Sequence, residues 1–318
     1  MGTQFHWEKK GLIFAPDGRY DWMQSYAQNP SVLLLEDRLR VYFSCRGRKD
    51  QQGKFAALGT FVELARDNPS EVLYVHHRPL LSFGGPGTFD QFGAMPGCVI
   101  RVGEEVWIYY AGWIRCEGVP YNHAIGLMTS SDGGVVFERR GRGPVLGRTL
   151  KEPFMQNSPF VMRQGNEFHM WYSSGIEWLE DRGRMESIYV IMKATSTDGI
   201  NWERKSVPCV ASLVDNECQT NPTVVEMNGR FHMWFSYRSG LDFRNAERGY
   251  RIGYASSDDL FNWHREDELG ELTPSEKGWD AQMVCYPRVV DIDGRIHMFY
   301  SGNYFGRDGF GYALLAKT

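Results

Sequence analysis

Apolar positions along this chain recur in pairs of short runs split by a polar turn, and the pairing repeats five times. In the fourth unit, Pro222 to Glu226 reads as one strand and Asn228-Gly229-Arg230 as a tight turn. Phe231 to Tyr237 reads as a second strand, Arg251 to Ser256 as a third, and the segment at Trp263 leads into a fourth. The runs are rich in β-branched and aromatic residues, and Asn-Gly or Asp-Gly between such runs predicts a hairpin. The matching units begin at Pro30, Pro96, Pro159, Pro222 and Pro287, about 63–66 residues apart. Helical periodicity is hard to find anywhere. A period of this length with several strands per unit predicts an all-β, five-bladed β-propeller with four antiparallel strands per blade.

Ring closure has its own signature. Three units end with an aromatic residue followed by charges: Phe137-Glu138-Arg139-Arg140, Trp202-Glu203-Arg204-Lys205 and Trp263-His264-Arg265-Glu266. The fifth unit has no such segment, but Trp7-Glu8-Lys9-Lys10 supplies one near the other end of the chain. An N-terminal strand joining the last blade would close the ring and remove two open sheet edges. The repeats run almost end to end, so residues 1–318 are expected to form a single domain.

Composition narrows the function. Aromatic residues make up 14% of the chain, in keeping with large flat side chains packed between twisted sheets. The net charge is −4, which implies no broad basic face and argues against nucleic acid as the main partner. Met1 to Lys10 lacks the apolar core of a secretory signal, and no run approaches a membrane span, so a cytoplasmic protein without a membrane partner is expected. The six cysteines lie far apart, which favours reduced thiols over a zinc site. His169, His232 and His297 hold one repeated position, and a packing role is preferred there to a shared metal. The Ser-x-Asp turns at Ser130, Ser196 and Ser256 read as side-chain-capped turns. No acidic loop has calcium-ligand spacing, and neither a metal nor another cofactor is expected.

Residues that break the repeat are the more informative ones. Segments before each proline should rim the central cavity, and each of the five holds a glutamine and an upstream carboxylate. Amides, carboxylates and aromatic faces together suit hydroxyl-rich ligands. The substrate-binding candidates from these segments are Gln24, Asn29, Gln91, Gln156, Asn157, Gln219, Asn221, Gln282 and Tyr286. The second-strand ends add Arg46, Trp113 and Arg238, and two arginines aimed at one site would favour an anionic group. The alternative for each arginine is an ion pair with a neighbouring carboxylate. The irregular stretches Ile176 to Arg184 and Gly240 to Arg248 follow second strands and are expected to wall the site.

The pattern of proline, strand, Asp-Gly turn, Tyr/Trp-rich strand and Ser-x-Asp-Gly turn resembles the five-bladed propeller glycosidases of glycoside hydrolase families 43, 32, 68, 62 and 130. The resemblance implies a small-molecule or oligosaccharide substrate and carboxylate chemistry, with one acid protonating the leaving oxygen and a second acting as base or nucleophile. The family 43 pattern places acids beside the first three blade prolines, where this chain has Asn29, Met95 and Asn157-Ser158. Glu217-Cys218 resembles the Glu-Cys pair of families 32 and 68, one blade later, and Asn29-Pro30 resembles the Asn-Pro of family 130. Relocated catalytic carboxylates are therefore expected among Glu217, Asp280, Asp90 and Asp21, with Glu217 deepest in the cavity. Three readings stay open: a carbohydrate-active enzyme that cleaves or transfers a glycosyl unit, a non-catalytic propeller binding a sugar or sugar nucleotide, and phosphate-dependent glycosyl transfer.

Overall fold

The computed structural model describes residues 4–270 and 272–316, so the ends of the polar N-terminal segment and of the last repeat, residues 1–3 and 317–318, lie outside the described residues. The chain is nearly all β. Strand β1 (Trp7–Phe14) precedes β2 (Ser25–Leu34), β3 (Arg38–Arg46), β4 (Ala57–Ala65) and β5 (Val72–Val75), which pair in succession as an antiparallel meander. A second meander follows, β6 (Gly93–Val102), β7 (Glu105–Ile114), β8 (Asn122–Ser130) and β9 (Glu138–Arg139). One parallel contact, Ala57 opposite Gly93, joins the two into an eight-stranded sheet.

The next two sheets each have four strands. They are β10 (Gln156–Gln164), β11 (Glu167–Asp181), β12 (Arg184–Ser196) and β13 (Glu203–Pro208), then β14 (Cys218–Met227), β15 (Arg230–Arg238), β16 (Arg251–Ser257) and β17 (His264–Arg265). The last sheet is β18 (Cys285–Ile292), β19 (Arg295–Ser301) and β20 (Phe310–Leu315), with β1 as its outer strand. Trp7 sits opposite Leu315 and Phe14 opposite Phe310, so the two ends of the chain share one sheet.

Local chemistry accounts for the turns. Asn228 and Gly229, like Asp293 and Gly294, all have positive φ, the backbone that a two-residue hairpin needs to match strand twist. The stretch at Ile176 to Arg184 differs from its expectation as an irregular segment. β11 runs on to Asp181, Arg182 and Gly183 take positive φ, and β12 starts at Arg184. Paired backbone satisfies its own N–H and C=O groups, so this extension projects as a hairpin rather than a loop.

Flat side chains fill the space between sheets. Trp107 stacks on Phe168 at 6.3 Å, and Trp171 and Trp234 are fully buried. Polar ties add to this packing. Tyr42 donates to the carbonyl of Gly134 at 2.7 Å and Tyr109 to that of Gly199 at 2.8 Å, each reaching a Ser-x-Asp turn of the following repeat. Those turns are capped as expected, with Asp198 accepting from the N–H groups of Ile200 and Asn201 and Asp259 from those of Phe261 and Asn262. The aspartate in the third of these turns that makes the contacts is Asp259, paired with Ser257.

Candidate functional site

The carboxylates upstream of four of the prolines share one environment. Asp90, Glu152, Glu217 and Asp280 are each at most 3% exposed. Each accepts from a basic residue of the outermost strand of its sheet: Asp90 from Arg139 at 2.7 Å, Glu152 from Arg204 at 3.3 Å, Glu217 from Arg265 at 2.7 Å and Asp280 from Lys9 at 2.6 Å. These bases belong to the aromatic-and-charge signature that ends each repeat. Three of the acids also accept a tyrosine hydroxyl from the second strand, Tyr110, Tyr172 and Tyr300 respectively for Asp90, Glu152 and Asp280. Burial, then the facing carboxylate, pushes all three phenols well above their ordinary range. In the fourth repeat Phe235 stands at the tyrosine position, and Glu217 accepts instead from Gln219 at 2.9 Å. The first repeat lacks the arrangement. Asp21 is exposed, with Arg48 at 2.9 Å, and β5 carries no basic residue.

None of Asp21, Asp90, Glu217 and Asp280 lines the central cavity, so the expectation that Glu217 is deepest there is corrected. The physical reason lies in the loops. The segments holding Asp90, Glu152 and Asp280 fold back along their own sheets, where the outer-strand cation and the second-strand hydroxyl satisfy the carboxylate, and Arg265 with Gln219 does the same for Glu217. Asp21 faces a second, separate depression of about 600 Å³ together with Trp22 and Gln91.

The central cavity measures about 750 Å³. Each innermost strand contributes the residue immediately before its proline: Asn29, Met95, Ser158, Asn221 and Tyr286. The strand register skips at four of these points, between Gln28 and Ser31, Asn157 and Phe160, Thr220 and Thr223, and Cys285 and Arg288, while in the second repeat Met95 stays paired with Ala111 and the skip follows the proline, between Pro96 and Cys98. Proline has no N–H to give to a ladder, so a bulge is where a sheet can accept it. Asn29, Ser158, Asn221 and Tyr286 take positive φ there. The bulge swings the preceding side chain out of the strand alternation and toward the axis. Asn221 donates to Asn29 at 2.6 Å across the cavity, and Thr220 donates to Ser158 at 2.9 Å.

Of the sequence-predicted binding residues, Asn29, Arg46, Trp113, Asn157, Asn221, Arg238 and Tyr286 line this one cavity. The glutamines do not, which corrects that expectation. Gln24 donates to the carbonyls of Gly18 and Tyr20, Gln156 to that of Phe154, and Gln219 to that of Ala211 and to Glu217. Gln91 accepts from the Gly87 N–H, and the Gln282 backbone is held by Asn303. The side-chain amides of Gln24, Gln91, Gln156 and Gln219 each close their own loop. His169, His232 and His297 lie against aromatic rings in their repeats. Among the described residues no group of three His, Cys, Asp or Glu gathers as a metal site, and no helix is long and apolar enough to cross a membrane.

Sequence reasoning missed Glu186, which is 3% exposed and is the carboxylate in the cavity wall. It sits between Arg184 at 3.2 Å and Arg244 at 2.7 Å. The projecting β11–β12 hairpin carries it, and a signal existed in the Arg182-Gly183 turn flanked by alternating residues. Also missed were His123, Tyr121, Tyr189 and Tyr250. Tyr121 stacks on His123 at 4.9 Å, and Asn157 lies 3.2 Å from the His123 Nδ1. Burial and the nearby Arg46 push the His123 imidazole down to about 4, so it is neutral at pH 7. The Tyr189 and Tyr250 hydroxyls share a hydrogen bond, and Arg238 donates to Tyr189 at 2.9 Å.

No family model matches the chain. It is 36% identical over 311 residues to the uncharacterized Mycobacterium tuberculosis protein MT1551, across 97% of this chain and 99% of that protein, and equally to Rv1502 from another strain. A β-1,2-mannobiose phosphorylase from Thermoanaerobacter is 26% identical over 170 residues, 48% of this chain and 55% of that protein. Among solved structures, a glycosyl hydrolase from Bacteroides ovatus superposes with a TM-score of 0.73 at 13% identity, covering 99% of this chain and 96% of that one. A thermostable family-43 glycoside hydrolase superposes at 0.64 with 15% identity, covering 92% and 88%. The fold of this chain is therefore that of the propeller glycoside hydrolases.

Proposed function

This chain belongs to the family of the Mycobacterium tuberculosis proteins MT1551 and Rv1502, and we propose that it is a carbohydrate-active protein that holds a glycosyl ligand in its central cavity. Counting the two meanders of the eight-stranded sheet as separate blades, we read the described residues as one five-bladed propeller domain around that cavity. The observation that carries the reading is the wall itself. The amides of Asn29, Asn157 and Asn221 face the same space as the rings of Trp113, Tyr121 and Tyr286. Amides donate to and accept from hydroxyls while aromatic faces cover the C–H surface of a sugar ring.

The chemistry follows from the carboxylates. Hydrolysis by paired acids needs two carboxyl groups facing each other across the scissile bond. Asp90, Glu217 and Asp280 are held in ion pairs away from the cavity, and we assign them, with Glu152, a structural role. Glu186 is then the candidate for proton transfer to or from the ligand. The test is a panel of mono- and oligosaccharides followed by calorimetry and product analysis. Turnover that Glu186→Gln abolishes, and Glu217→Gln leaves intact, establishes an enzyme working through the cavity. Among the described residues Glu186 is the single wall carboxylate, which favours a second reading, a sugar-binding propeller, for which saturable binding without any product is the expected result. A saccharide that neither binds nor reacts anywhere in such a panel contradicts both.

A further inference from the structure

The charges of the cavity wall do not balance, although the whole chain is net acidic. Four of the wall arginines have carboxylate partners, and Lys49 and Lys54 are exposed to solvent. Arg184 and Arg244 share Glu186, Arg115 meets Asp50 at 2.6 Å, and Arg307 meets Asp308 at 3.1 Å. Arg46 and Arg238 differ. Among the described residues neither forms an ion pair with a carboxylate, and the Nε of each is buried without a hydrogen-bond partner. Arg238 is 4% exposed. Its other nitrogens reach the carbonyls of Ser239 and Gly240 and the hydroxyl of Tyr189. Aromatic faces hold both guanidinium groups in place: Arg46 lies 4.0 Å from the Tyr26 ring centre and Arg238 3.4 Å from that of Phe243.

A buried guanidinium with open N–H capacity and no counter-ion is costly unless something anionic arrives. Arg46 and Arg238 line the same cavity together with Tyr121 and Tyr286, which places the two groups around a common space. The neutral His123 adds a hydrogen-bonding nitrogen there without adding repulsion among cations.

We propose that the ligand of this cavity carries an anionic substituent, a phosphate or a carboxylate, received between Arg46 and Arg238. The inference rests on the reading of the cavity as a sugar site and specifies which sugars enter it. Planar guanidinium forks match either anion in bidentate fashion, and an anion held by two of them completes the wall's charge balance.

The experiment is calorimetric titration of the full chain at 0.15 M salt with glucose 6-phosphate, glucuronate, inorganic phosphate and glucose. The expected result is that at least one charged sugar binds tenfold or more tighter than glucose, and that Arg46→Met brings the ratio of the two affinities close to one. Preference for glucose 6-phosphate over glucuronate identifies phosphate as the substituent, and the reverse order identifies carboxylate. Arg238→Met is run beside Arg46→Met with circular dichroism, because Arg238 is buried and its loss can affect folding. Charged probes that bind no better than glucose, or that keep their advantage in a folded Arg46→Met protein, overturn the inference and leave the sugar reading standing. Inorganic phosphate that binds through Arg46 while no saccharide competes with it overturns the sugar reading and leaves the anion site.

Discussion

At the scale of single residues, a carboxylate's role depends on what has already claimed its oxygens. Glu217 has the sequence context of a cavity acid, a few residues before an innermost strand, yet Arg265 and Gln219 bond it in a site that excludes the cavity. Breaking one side of a buried ion pair typically costs about 3 kcal/mol or more, because the partner charge remains buried. Here Arg265 keeps its ion pair with Asp267 when Glu217 is neutralised, so Glu217→Gln is expected to lower unfolding free energy by about 1.5 kcal/mol, the scale of one charge-assisted hydrogen bond, in urea titration, while saccharide affinity stays as in the wild type. An affinity loss without a stability loss would return Glu217 to the cavity. His123 makes a pH-dependent contribution. Its folded-state value near 4 lies below the ordinary 6.5, so between those values the unfolded chain binds the extra proton. Stability is then full above about pH 6.5 and falls as pH drops toward 4. His76, also pushed down to about 4 by burial and by His77, acts in the same direction. Melting temperatures measured from pH 7 to pH 5 should decline, and His123→Asn should flatten part of that slope.

At the scale of elements, the proline bulge links fold to function. In four of the innermost strands it places the residue before the proline in the cavity, and all four take positive φ. A β-branched side chain is strained in that region, whereas glycine is not. Asn221→Val is expected to destabilise the protein by about 2 kcal/mol and to weaken ligand binding. Asn221→Gly should keep most of the stability and still lose binding, because the amide to Asn29 is gone. Equal binding in Asn221→Gly and wild type would show that the bulge positions backbone rather than chemistry. Much of this element was legible beforehand. The prolines, the Asn-Gly and Asp-Gly turns and the pre-proline asparagines are local signals, and Asn29, Asn221 and Tyr286 line the cavity. The glutamines were misplaced because a few residues of loop can fold back on themselves, and nothing in their spacing tells an amide that closes a loop from one that faces a ligand. The hairpin bearing Glu186 escaped because alternation outside the repeated core looks irregular when compared with the repeat.

At the scale of the whole molecule, the ring is held by the same signature that announced it. The basic residue after each terminal aromatic reaches an acid at the start of its own sheet, and across the chain ends Lys9 does this for Asp280. Sequence showed that Trp7 to Lys10 completes the last repeat; which atoms it would meet required coordinates. Lys9→Met leaves Asp280 with Tyr300 and no cation. Hydrogen exchange on this variant should lose protection in β1 and β20 first, while β10 to β13 stay protected. Uniform loss across all sheets would mean that closure is not a local event.

The account as a whole turns on where a sugar sits. Crystals soaked with the tightest-binding saccharide from the panel measure this most directly. The expected density lies in the central cavity, in contact with Asn29, Asn221, Trp113 and Tyr286 and within reach of Glu186. Density in the depression beside Asp21, or at the buried Glu217 and Asp280 pairs with the central cavity empty, would contradict it.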